Sequence, residues 1–176
     1  FWPMRFDKLG PQELKAALDE SGIRWRVIVV SACYSGGFVP ALADEHTIVI
    51  TAASADRQSF GCSNTAEFTY FGRAYFDQAL RETRSFTAAF ERARELVAQR
   101  EQAEKVSPPS LPQMQVGGAI RAHLEKLEER LARSGAPTVA APPPQTVPAG
   151  PYAELARALA PDALLRAEQA GCKAVS

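Results

Sequence analysis

The chain has 176 residues, its 20 Lys and Arg balance 20 Asp and Glu, and 46% of it is hydrophobic. That is the size and balance of one globular domain with a two-layer core, and it excludes a strong electrostatic grip on nucleic acid or on an anionic membrane. The longest apolar runs, Val27 to Val30 and Ile48 to Ala53, fall far short of the roughly 20 residues that cross a bilayer, so no membrane contact is expected.

Pro11 sits where a first helical turn tolerates it, and Leu14, Ala17 and Leu18 recur at helical spacing before Gly22, which predicts a short helix over residues 11 to 21. Residues 25 to 32 are a β-branched run without alternation, the pattern of a strand covered on both faces of a parallel sheet. Residues 47 to 52 repeat it, and residues 33 to 46 between them are long enough for a crossover connection, so the pattern is α/β. Phe68, Phe71 and Tyr75 then predict a helix over roughly 67 to 83. A second follows Ser85 as its cap, with Phe86, Ala89, Phe90, Ala93, Leu96 and Val97 in one stripe. Ser107 to Pro112 breaks that helix, and Ile120, Leu124, Leu127 and Leu131 mark another. The expected division is a domain over 1–135, a Pro/Ala-rich linker over 136–151 and a helix-prone tail over 152–176, divided by Pro161.

Three cysteines, Cys33, Cys62 and Cys172, cannot all pair within the chain and fall in no metal-ligand spacing, so neither a disulfide framework nor a metal site is expected. The chemistry concentrates in Ser31-Ala32-Cys33-Tyr34-Ser35-Gly36-Gly37, where a cysteine ends a buried parallel strand and two glycines follow. In open α/β sheets that edge collects ligands and catalytic groups, and glycine-permitted turns let backbone N–H groups point at a developing oxyanion. A free cysteine there reads either as a nucleophile or as a small buried hydrophobe.

Three blocks carry a family resemblance: Arg26 to Gly37 around Cys33; Ile50 to Cys62, containing Asp56, Arg57, Gln58 and Ser59; and Phe68 to Asp77, containing Gly72 and Arg73. In this order the chain resembles the legumain-like cysteine peptidases, family C13, in their bacterial type, over about residues 5 to 133. The resemblance implies a caspase-like fold: a three-layer α/β sandwich with a mainly parallel sheet, here expected to be incomplete at the amino terminus, Phe1 reading as a cut edge. It implies a cysteine endopeptidase acting on peptides or proteins through a Cys33 acyl-enzyme, without metal or cofactor, and a lean towards the cell envelope or periplasm. A catalytically inert peptide-binding module, or a transpeptidase or ligase using the same nucleophile, are the alternatives.

The general base of such enzymes is a His on an earlier strand, roughly 40 to 50 residues before the Cys in the caspase spacing. No His precedes Cys33, His46 lies at the amino end of the second strand, and His123 lies on a late helix. The base is therefore expected upstream of Phe1, and this stretch alone is expected to be inactive. The resemblance also places Ser31, Gln58, Ser59 and Arg73 in the substrate groove, Gln58 and Ser59 through their backbone. The plant and animal enzymes cut after Asn using two acidic groups, and the matching positions here are Ser31 and Arg73, with Glu67 a nearby substitute acid. An inward Arg73 would suit an acidic side chain. Asp56 and Arg57 read as groove wall or as a surface turn, Cys62 as a loop thiol, Cys172 as part of a loose end, and Pro142 to Pro144 as a spacer.

Overall fold

Two parallel strands carry the structure, a computed structural model that describes residues 9–62 and 66–134. The strands are β1 (Arg26–Val30) and β2 (Thr47–Thr51), in register from Arg26 opposite Thr47 to Val30 opposite Thr51. A third strand, β3 (Gln113–Val116), pairs antiparallel with β2 on its other side, giving the order β1-β2-β3. Central β2 is buried throughout, as its unbroken Ile-Val-Ile run requires, whereas β1 is only half-buried.

Each face of the sheet is covered by helices. On one side Val27, Val29, Ile48, Ile50, Met114 and Val116 meet the main apolar cluster. That cluster draws on α3 (Tyr70–Gly72), the π-helical segment Arg73–Ala79 that continues it, α5 (Phe86–Ala103) and α6 (Gly118–Arg133), with α4 (Leu80–Glu82) closing the π segment. On the other side α2 (Val39–Leu42) packs on β2 through wholly buried Leu42, and α1 (Pro11–Glu20) packs on α2. The result is a three-layer α/β sandwich.

The stripe expected on α5 is the one buried: Ala89, Phe90, Ala93 and Val97 are inside, and its alanines let the helix approach the sheet closely. Phe71 and Tyr75 stack at 5.6 Å beneath it, and burying each such ring contributes about 2 kcal/mol. Arg26 fastens α1 to the first strand, since its guanidinium donates to the Leu18 carbonyl and to Asp19, both at 2.9 Å, at the carboxyl end of the helix.

The structure differs from the sequence reading in three places. β3 falls just after the break at Ser107 to Pro112, in a stretch to which that reading assigns no element. The helix expected over 67–83 starts at Tyr70, because the Thr69 hydroxyl accepts from the Gly72 amide and caps it there, and it contains a π segment. The Ser85 cap is present in backbone position, but its hydroxyl meets Thr87 Oγ1 rather than a backbone amide. The linker 136–151, the tail 152–176 and Cys172 lie outside the described residues. Among the described residues no helix is long and apolar enough to cross a membrane.

Candidate active site

The chain leaves β1 at Val30 and turns sharply, so that Cys33 lies at the carboxyl edge of the parallel pair. Tyr34 follows in the left-handed region at φ 57°, and a 3₁₀ helix over Ser35–Phe38 carries the chain back under the sheet. A non-glycine residue in that conformation needs compensating contacts, and Tyr34 has them. Its amide donates to the Arg57 carbonyl at 2.7 Å, its carbonyl accepts from the Gly37 amide at 3.0 Å, and its hydroxyl accepts from the Gln58 side-chain amide at 3.2 Å.

Two residues seat this turn against the end of β2. Ser35 is fully buried; its hydroxyl accepts from the Ala53 amide at 3.1 Å and faces the Ala53 carbonyl at 3.4 Å. Gly36 permits the approach itself, because a Cβ there would lie 2.5 Å from the Ala55 nitrogen and 2.7 Å from Ser54. The second glycine, Gly37, has open space around it, so only one of the pair is needed for closeness.

The half-buried Cys33 thiol points to the loop beyond β2 and donates to the Ser59 carbonyl at 3.4 Å. Ser59 is buried, and its neighbour Gln58 reaches from the loop to the Tyr34 hydroxyl. The main chain of Arg57 and Ser59 is thus turned towards the nucleophile turn. Asp56 is exposed, and the Ser54 hydroxyl that donates to it at 2.6 Å, helped by Arg57, holds its carboxyl below the usual range.

Ser31 lies two residues before Cys33, with its hydroxyl 3.4 Å from that of Thr69. Beyond Thr69 opens a groove of about 590 Å³ lined by Glu67, Phe68, Tyr70, Arg73 and Arg100. Arg73 is exposed, 4.0 Å from the Glu67 carboxylate and 5.9 Å above the Phe68 ring. Of the five sequence-expected site residues, Gln58 and Ser59 lie against the turn that carries Cys33, Ser31 meets the groove only at Thr69, and Arg73 lines it.

Arg100, Tyr70 and Glu104 were not singled out in the sequence. Arg100 donates to Glu104 at 2.8 Å and sits 4.4 Å over the Tyr70 ring, while the Tyr70 hydroxyl donates to the same carboxylate. That hydrogen bond raises the Tyr70 phenol and, with Arg100, lowers the Glu104 carboxyl. Only the Arg100–Glu104 spacing is visible in the sequence, as an ordinary i,i+4 pair.

Neither histidine approaches Cys33. His46 packs edge-on against Trp25 at 5.0 Å and its Nε2 accepts from the Arg24 guanidinium at 3.0 Å, and His123 stacks on the same indole at 4.2 Å. Trp25 and His46 precede β1 and β2, so the cluster is at the amino edge, a strand length of roughly 16 Å from the carboxyl edge that holds Cys33. Among the described residues no group of three His, Cys, Asp or Glu side chains is placed to hold a metal ion.

The model of the Peptidase C13 family matches residues 2–121. The comparison with curated proteins found no match.

Proposed function

The chain belongs to the Peptidase C13 family, the legumain-like cysteine peptidases, and we propose that it hydrolyses peptide bonds through a thioester formed on Cys33. Its α/β sheet, parallel between β1 and β2, has the caspase-like arrangement of that family, whose substrates are proteins and peptides. The observation that carries the proposal is the placement of the Cys33 thiol, half-exposed at the carboxyl edge of the parallel pair, on a turn braced by Ser35, Gly36 and Tyr34.

In this reading the Cys33 thiolate attacks the scissile carbonyl, the carbon–nitrogen bond breaks as the amine takes a proton, and water then cleaves the thioester to give the acid and the thiol. The Cys33 amide is one donor to the oxyanion. Ser31, Gln58, Ser59 and Arg73 line the substrate path on either side of the thiol. The proton is handled by a histidine outside residues 1–176, since both histidines of this sequence sit at the other edge of the sheet. An amine in place of water turns the same thioester to transpeptidation.

The distance of both histidines from Cys33 favours one second reading, an inert groove that only binds peptides. Incubation of the full-length protein with a mixed peptide library separates them. The proposal expects cleavage that Cys33→Ala abolishes. Peptide binding with no cleavage or exchange of any library member supports the inert groove instead.

A further inference from the structure

We propose that the groove from Thr69 to Arg100 is a subsite for an acidic side chain of the substrate, read by the guanidinium groups of Arg73 and Arg100. This rests on the reading of Cys33 as the nucleophile. The recess beyond Thr69 adjoins a second of about 330 Å³, which reaches Gln78 and Gln99, and the two share Tyr70, Arg73 and Arg100. They form one continuous groove between the loop after β2, the π segment and α5. Thr69 lines its near end and meets Ser31, two residues before Cys33, at 3.4 Å, so the groove opens beside the turn that carries the thiol.

The chemistry of the walls selects the ligand. Arg73 is 4.0 Å from Glu67, beyond hydrogen-bond reach, and that carboxylate is itself largely exposed. Such a pair adds little and is readily exchanged for another carboxylate. Arg100 is presented in a fixed orientation, because Glu104 holds its Nε and the Tyr70 ring lies under its plane, while the Tyr70 hydroxyl occupies the same carboxylate. Glu104 is thereby committed to positioning. Two planar forks facing one groove match the two oxygens of Asp or Glu, whereas the NH₂ of Asn or Gln would meet donors with donors.

The test uses the full-length protein and otherwise identical peptide electrophiles that carry Asp, Asn or Ala at each position before the reactive group, with the inactivation rate at Cys33 as readout. At one position Asp should exceed Asn about tenfold, the low end of what a hydrogen bond to a charged group contributes. Arg73→Gln and Arg100→Gln should each bring the Asp-to-Asn ratio towards one, Glu67→Gln should raise it, and Arg94→Gln, which removes the same charge elsewhere on α5, should leave it. High salt should shrink it. A ratio near one at every position, or a preference for Asp that survives both Arg73→Gln and Arg100→Gln, overturns the subsite while Cys33 is still labelled. If no peptide labels Cys33, the nucleophile reading fails, and equilibrium binding of the same peptides to Cys33→Ala decides the groove: tighter binding of the Asp peptide, lost in Arg73→Gln, supports it, and equal binding of Asp and Asn peptides overturns it.

Discussion

The Cys33 thiol donates to the Ser59 carbonyl at 3.4 Å, which puts the candidate nucleophile in direct contact with the loop beyond β2. Beside it the Tyr34 amide donates to the Arg57 carbonyl. The turn after β1 and the loop after β2 are therefore fastened together by the Cys33 thiol and the next residue's amide, and substitutions that loosen one should be felt by the other.

Gly36→Ala tests the closest of these approaches. The added methyl would lie 2.5 Å from the Ala55 nitrogen, which is backbone and cannot swing aside, so the turn must move. We expect a loss of about 1–3 kcal/mol, seen in thermal unfolding, and a lower Cys33 alkylation rate. Gly37→Ala, with nothing within 4 Å, is the control and should stay within about 0.5 kcal/mol. Equal melting of the two variants would show that the turn is not seated as described.

Ser35→Ala removes a buried hydroxyl and leaves the Ala53 amide without its partner. Leaving that donor unsatisfied should cost about 1–3 kcal/mol, a fall in melting temperature of several degrees. An unchanged melting curve would mean that water or a shifted backbone replaces the hydroxyl.

β1 and β2 were legible because each carries an unbroken β-branched run, although only β2 is buried throughout, and the stripe of α5 because Ala89, Phe90, Ala93 and Val97 recur at helical spacing. β3 was not. Gln113-Met114-Gln115-Val116 is a four-residue strand at the sheet edge, half exposed, directly after prolines, and its pairing with β2 is decided by contacts more than 60 residues apart. Cys33 stood out by its place at a strand end. The role of Arg100 could not, since only folding sets α5 beside Tyr70 and Arg73. Phe68 misled the reading of the helix start, because an exposed ring ahead of a Thr69 cap carries the same periodic signal as a buried one.

His46→Ala and His123→Ala should leave peptide cleavage within about twofold, since general-base assistance typically supplies 10²–10⁴-fold and neither ring is near the thiol. Each should cost some stability by removing a ring contact of Trp25, about 0.5–1.5 kcal/mol. A cleavage loss of 100-fold or more in a variant that still melts normally would make that histidine the base.

Burial raises the Tyr75 phenol from 10.0 to about 12, and its hydroxyl donates to the Phe86 carbonyl at 3.3 Å. A folded value above the unfolded one contributes stability that is fully present below about pH 10 and is lost as pH rises through about 12. Denaturant unfolding should therefore weaken over that window, and Tyr75→Phe should flatten the decline while costing about 1 kcal/mol at neutral pH through the lost hydrogen bond. The same alkaline slope in the variant would place the titration on another group.

The central claim is that Cys33 is the nucleophile, and the most direct measurement is the site of modification when the folded, full-length protein meets a peptide-based electrophile, read by peptide mapping. Under the proposed function a bound peptide presents its reactive group to the half-buried Cys33, whereas Cys62 sits exposed in the loop beyond β2. The account predicts modification at Cys33 alone, blocked by competing peptide substrate and absent in Cys33→Ala. Equal modification of Cys62, or labelling undiminished in Cys33→Ala, would contradict it.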